Sequence, residues 1–116
     1  MTAQLPTAAA AYVRTINERD PDGFIALFAE DAVVDDAGRE IRGREAIREW
    51  AAHDIFAANV TLEVRNVSGT DGDATITGKV DGTFDRTGLP DPLIMTFRVA
   101  VDRGKISGLT CRLAAG

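Results

Sequence analysis

Two residues of this chain have the chemistry to move a proton inside an apolar site. Tyr12, in YVRTIN, offers a phenol on a helical stretch, and Asp36, the second acid of VVDD, offers a carboxylate at a strand end. Along a strand Asp36 shares its face with Val34, and Asp35 points the other way. With Val34 in the core, Asp36 faces inward, where loss of water favours the neutral carboxyl and makes the group a better proton acceptor near neutral pH. Asp35 is then solvated or paired with an arginine. A phenol beside such an acid can donate a hydrogen bond to an oxygen on which negative charge develops. Each residue also has a purely structural reading: Asp36 as a strand-end acid satisfied by loop amides, Tyr12 as a core aromatic with its hydroxyl at the edge.

The other reactive side chains assemble into less. His53 is the only histidine and Cys111 the only cysteine. His53 stands near one helix face with Ala46 and Trp50, within reach of a cavity rim, and without a second histidine it makes no metal site. Cys111 lies in an apolar strand register and reads as a small buried hydrophobe. Ser68, Ser107, Cys111 and one histidine form no nucleophile–base–acid set. No GxGxxG or P-loop pattern offers a phosphate cradle. Neither a cofactor nor a metal is expected.

The bulk composition narrows the partners. The chain has 116 residues, 45% hydrophobic and 27% charged, with a net charge of −5. That length and balance fit one globular domain over residues 1–116. The acidic balance disfavours nucleic acid and anionic membranes. Arg39, Arg42, Arg44 and Arg48 cluster, but Glu40, Glu45 and Glu49 alternate with them, which reads as a solvated helix face. One cysteine allows no internal disulfide, and no apolar run is long enough to cross a bilayer, so a cytoplasmic protein is expected.

Elements must bring Tyr12 and Asp36 together. Thr7 can cap a helix to about Arg19, with Ala9, Tyr12, Val13 and Ile16 on its apolar side. Asp20-Pro21 starts a second helix, carrying Phe24, Leu27 and Phe28 and stopping near Glu30. Ala32 to Asp36 reads as a strand, and a third helix follows Gly43 with Ala46, Ile47 and Trp50 on one face. From Asn59 the period changes to two. Val60, Leu62 and Val64 alternate, Asp71-Gly72 makes a tight hairpin, and Ala74, Ile76, Val80 and Phe84 share a register. A loop over Asp85 to Pro92 precedes the register of Leu93, Met95, Phe97, Val99 and Val101. Asp102-Arg103-Gly104 turns into a last strand bearing Leu109, Cys111 and Leu113. Helices mostly first and four successive strands after them predict an α+β fold: a cone-shaped, mainly antiparallel sheet curved over three helices. Gly78, Gly82 and Gly108 are its bending points. The hollow of such a cone suits a small apolar ligand, with Phe24, Phe28, Val34, Trp50, His53, Met95 and Phe97 around it.

This order, with RDPDGFIALFAEDAVVDD, IRGREAIREW and TFRVAVDRGKI, resembles the nuclear transport factor 2-like superfamily, and within it the SnoaL-like and ketosteroid-isomerase group. The resemblance implies that Tyr12 stands where a first-helix tyrosine donates to the substrate oxygen, and Asp36 where a strand-end aspartate shuttles the proton. It also implies two departures: Met95 holds the place of a protonated aspartic acid, and Ala51 that of a supporting tyrosine. The implied function is binding of an apolar small molecule with ketosteroid-isomerase-like proton transfer alpha to a carbonyl, slow on a steroid because one donor is missing. Alternatives are a non-catalytic carrier or dimeric interaction domain, or a cyclase, dehydratase or epoxide hydrolase. Epoxide opening in this superfamily uses an Asp-Arg-Asp relay, and the sequence offers no evident counterpart. By resemblance, a homodimer pairing through its sheets is expected.

Overall fold

The computed structural model of the chain describes residues 6–85 and 87–114. Helix α1 (Thr7–Asn17) buries Ala9, Tyr12 and Ile16, the face its spacing predicts. Thr7 is its first residue and not its cap; Pro6 holds the cap position. The missing acceptor comes from across the fold, where Asp71 Oδ1 accepts the Thr7 amide hydrogen at 3.0 Å. Asp20 does cap α2 (Pro21–Ala26), accepting from the Gly23 amide at 3.0 Å with Pro21 in the first position.

Helix α2 stops at Ala26, four residues short of the expected end, and β1 (Phe28–Asp36) begins two residues later. Phe28 therefore lies on a strand, paired with Ile106. Six residues carry little helical stability of their own, so the burial of Phe28 in the sheet decides the boundary. The second departure is β2 (Arg39–Arg42), an extra strand reached through a two-residue turn at Ala37 and Gly38, both with positive φ. The arginines expected on one helix face are divided, Arg39 and Arg42 on β2, Arg44 and Arg48 on α3 (Arg44–Ala51). A four-residue edge strand with only Ile41 half-buried leaves no apolar alternation to read. A π-helical turn, Ala52–Phe56, extends α3.

The remaining strands are β3 (Thr61–Thr70), β4 (Asp73–Asp81), β5 (Ile94–Asp102) and β6 (Lys105–Leu113). They join β1 and β2 in one six-stranded sheet of order β2-β1-β6-β5-β4-β3. Every pairing is antiparallel except β1 with β6, which is parallel. The α+β class and the curved, mainly antiparallel sheet are as expected; the sheet has one more strand and stays open, with β2 and β3 at its edges. Its bend is local. A bulge between Val64 and Asn66 faces Gly78 and Thr77, and a Cβ on Gly78 would sit 2.8 Å from both the Glu63 carbonyl and a Leu62 methyl. A second irregularity, between Ala100 and Val101, adjoins Gly108.

Helix α1 packs on β3 to β5, and α3 on β1 and β2, so one face of the sheet is covered. Two expected apolar positions depart from the predicted registers, Phe84 packing half-buried against the core from beyond the strand. β4 ends at Asp81, before Phe84, and Leu113 is 50% exposed. Arg86, inside the expected loop, lies outside the described residues. No helix among those described is long and apolar enough to cross a membrane.

Candidate functional site

The parallel pairing of β1 and β6 builds the floor of the site. It places Asp36 beside Cys111, and the β5–β6 ladder places Cys111 beside Phe97. Three adjacent strands thus present Asp36, Cys111 and Phe97 in one row, roughly 4.8 Å from strand to strand. Tyr12 of α1 closes over that row, its ring 5.8 Å from the Phe97 ring. Together with Trp50 and Met95 these side chains line a partly open cavity of about 100 Å³. Tyr12, Asp36, Trp50, Met95 and Phe97 are therefore brought together as the sequence predicts.

Phe24, Phe28 and Val34 are not cavity wall. All three are fully buried, and Phe24 packs between Tyr12 at 5.7 Å and Phe28 at 5.1 Å, an aromatic backing that holds the phenol in place. His53 also misses the cavity. The π-helical turn leaves it exposed on the outer rim, and its neighbours Asp54 and Ile55 face inward in its stead. Sequence reasoning missed those two along with Ile16, Val60, Leu62, Val80 and Cys111. Ile16 and Asp54 had a signal, each lying four residues beyond a predicted site residue.

Asp36 is held by one oxygen. Its Oδ2 accepts from Trp50 Nε1 at 3.0 Å and from Arg39 Nη2 at 3.3 Å. Among the described residues no hydrogen bond engages Oδ1. The side chain is 26% exposed, which sets it at the mouth of the cavity. Arg39 also bonds Asp54, so one guanidinium bridges the two acids. Asp35 faces the other side of the sheet and pairs with Arg112 at 2.8 Å, as expected.

Tyr12 lines the same cavity, and no hydrogen bond ties its hydroxyl to another described residue. Burial pushes its pKa well above the ordinary 10.0, with negative charge at Cys111 and Asp36 adding to the effect. The phenol is therefore a neutral donor throughout the physiological range. Burial likewise pushes the Cys111 thiol up to about 12, reinforced by Asp36 and opposed by Arg112. A thiol held protonated is a poor nucleophile. Among the described residues no three His, Cys, Asp or Glu side chains are placed to hold a metal. What the cavity offers is the unengaged Oδ1 of Asp36 and an unengaged phenol within largely apolar walls, an arrangement suited to proton transfer on a polarised small molecule.

A family model for the SnoaL-like domain matches residues 9–109. Among solved structures, a candidate polyketide cyclase from Sinorhizobium meliloti superposes with a TM-score of 0.81 at 28% identity, covering 93% of this chain and 95% of that one. A Mycobacterium tuberculosis protein in complex with estradiol-17beta-hemisuccinate gives 0.76 at 20% identity, over 96% and 95%. The Δ5-3-ketosteroid isomerase from a Mycobacterium species gives 0.73 at 22%, over 93% and 91%. The last two identities speak for the fold alone. With the family match spanning most of its length, the chain belongs to the SnoaL-like domain family, on the nuclear transport factor 2-like, ketosteroid-isomerase-like fold.

Proposed function

We propose that the cavity binds a small carbonyl compound and shifts a proton next to that carbonyl. One observation carries the reading: Asp36 is anchored through Oδ2 and leaves Oδ1 unengaged in the cavity that also holds the unengaged Tyr12 hydroxyl. Oδ1 takes the proton from the carbon alpha to the carbonyl. The electron pair moves onto the carbonyl oxygen, where Tyr12 donates a hydrogen bond to the resulting enolate. Asp36 returns the proton to another carbon of the conjugated system, and the double bond moves. Size selects the part of the substrate that enters. A cavity of about 100 Å³ falls short of the roughly 300–1,000 Å³ typical of drug-sized ligands and nearer the roughly 150 Å³ that accepts benzene. At most one small ring can enter it.

The test is conversion of 3-cyclohexen-1-one to its conjugated isomer, followed by ultraviolet absorbance. Wild type should exceed buffer, Asp36→Asn should abolish the excess, and Tyr12→Phe should lower kcat by about 10²- to 10³-fold as an oxyanion donor is lost. Met95→Asp restores a second donor and should raise the rate, because an acid among apolar neighbours stays protonated. Binding without turnover in wild type would make the protein a carrier.

A second reading rests on Arg39 bridging Asp36 and Asp54, the Asp-Arg-Asp grouping that epoxide-opening relatives use. Here one acid would activate water and the other would protonate the epoxide oxygen. Asp54→Asn separates the readings: it should abolish hydrolysis of cyclohexene oxide, were that the activity, and spare enone isomerisation. Arg39 is 59% exposed, so water competes for this relay, and the first reading is preferred. We place the protein in the cytoplasm as a single-domain homodimer that works without a cofactor.

A further inference from the structure

The cavity has a neighbour. On the far side of Asp36, Asp54, Val60 and Met95 lies a second, more open hollow of about 450 Å³, and those four residues belong to both. Its outer wall is Phe84, Leu89, Leu93 and Leu113. Among the described residues only two large apolar side chains are exposed, Leu89 at 37% and Leu113 at 50%, and both stand on this wall. Leu89 comes from the segment joining β4 to β5, and Leu113 from the end of β6, so two separate elements converge to place apolar surface here. Leaving such surface in water is unfavourable, and its concentration in one concavity marks a place that something covers.

We infer that the outer hollow binds the apolar tail of the same molecule whose carbonyl head enters the cavity, which defines the substrate class as a cyclic ketone or enone bearing an aliphatic chain. The inference rests on the proton-transfer reading of Asp36 and Tyr12. Three observations favour a tail over a protein partner. The hollow has the volume of a small-molecule site. It adjoins the cavity, sharing Asp36, Asp54, Val60 and Met95 with it. A protein seated on Leu89 and Leu113 would also cover Asp36 and close the route to the base. The polar side of the hollow, His53 and Asp54, leaves the apolar wall as the side along which a chain would lie.

The experiment uses ketones that bind without isomerising: cyclohexanone and its 4-ethyl, 4-butyl and 4-hexyl derivatives, titrated against Trp50, the single tryptophan, with calorimetry as a second readout. Each buried methylene should tighten Kd by about three- to fourfold, until the hollow is filled. In the double variant Leu89→Ser, Leu113→Ser, checked for an unchanged melting temperature, the dependence of Kd on chain length should flatten. A wild-type series in which cyclohexanone binds and chain length has no effect would overturn the inference and leave the proton-transfer reading standing. A chain-length dependence that survives the double variant would also overturn it. So would sedimentation showing that the variant dissociates a wild-type dimer, since the wall would then be an interface. Failure of every ketone to bind by either readout would overturn the inference and the proposed function together.

Discussion

At the scale of single residues, the site is defined by which groups are engaged and which are not. Trp50 and Arg39 both bond Oδ2 of Asp36, so the carboxylate is oriented by its support and leaves its other oxygen for the proposed proton transfer. Cys111, next to it on the adjacent strand, is the opposite case, a potentially reactive group silenced by burial. Its pKa of about 12 in the fold, against 9.0 as the ordinary value, has a consequence for stability. A thiol whose pKa is raised by folding contributes stability that is complete below the unfolded value and lost as pH rises towards the folded one. Between pH 9 and about 12 the folded state holds a proton that the unfolded state has released, so stability falls with pH, by up to about 1.4 kcal/mol per pH unit for this group. Tyr12 adds a similar loss above pH 10, since burial raises its pKa as well. Denaturant melts of wild type and Cys111→Ala from pH 8 to 10 should show a shallower decline in the variant, whatever its offset from lost packing. Parallel declines would mean that the thiol ionises freely in the folded protein.

At the scale of elements, the joint that matters most to the cavity is one the sequence did not advertise. Asn17, the last residue of α1, donates from Nδ2 to the Leu62 carbonyl at 2.9 Å, and its Oδ1 accepts the Leu62 amide hydrogen at 2.8 Å. It fastens the helix bearing Tyr12 to an edge strand whose Leu62 lines the cavity. Replacing it with alanine removes two hydrogen bonds of about 1 kcal/mol each. Asn17→Ala should lower Tm by several degrees, and Asn17→Asp, which keeps the acceptor and loses the donor, by about half as much; equal melting of all three proteins would show the joint to be idle. The sequence showed what apolar periodicity can show: the buried face of α1, most of the strand registers from Asn59 onward, the Asp71-Gly72 turn, and the opposed directions of Asp35 and Asp36. It concealed what depends on partners distant in the chain. The end of α2 is set by Phe28 pairing with Ile106. Strand β2 exists because an edge of β1 is free to accept it. The bridge from Asp36 through Arg39 to Asp54 forms only when a hairpin and a π-helical turn meet.

For the molecule as a whole, the helices cover one face of the sheet and no described element covers the other. Thr75, Thr77, Thr96 and Thr110 are half-buried on that outer face. The charges among them are paired, Arg98 with Asp73 at 2.6 Å and Arg112 with Asp35 at 2.8 Å. A surface of short β-branched side chains and internally neutralised charges is flat enough and weakly enough hydrated to meet a copy of itself. A two-fold axis through this face leaves the cavity mouth, on the helical side, open to substrate. Sedimentation at micromolar concentration should therefore show one species of twice the 12.4 kDa chain mass. Thr96→Lys sets a positive charge near the centre of the face, where the axis brings it against its own copy, and should shift the protein to monomer without unfolding it. A wild type that sediments only as monomer would remove the dimer. A dimer indifferent to Thr96→Lys would move the contact to an edge, β2 or β3, where unpaired backbone groups can extend the sheet from one chain into the next.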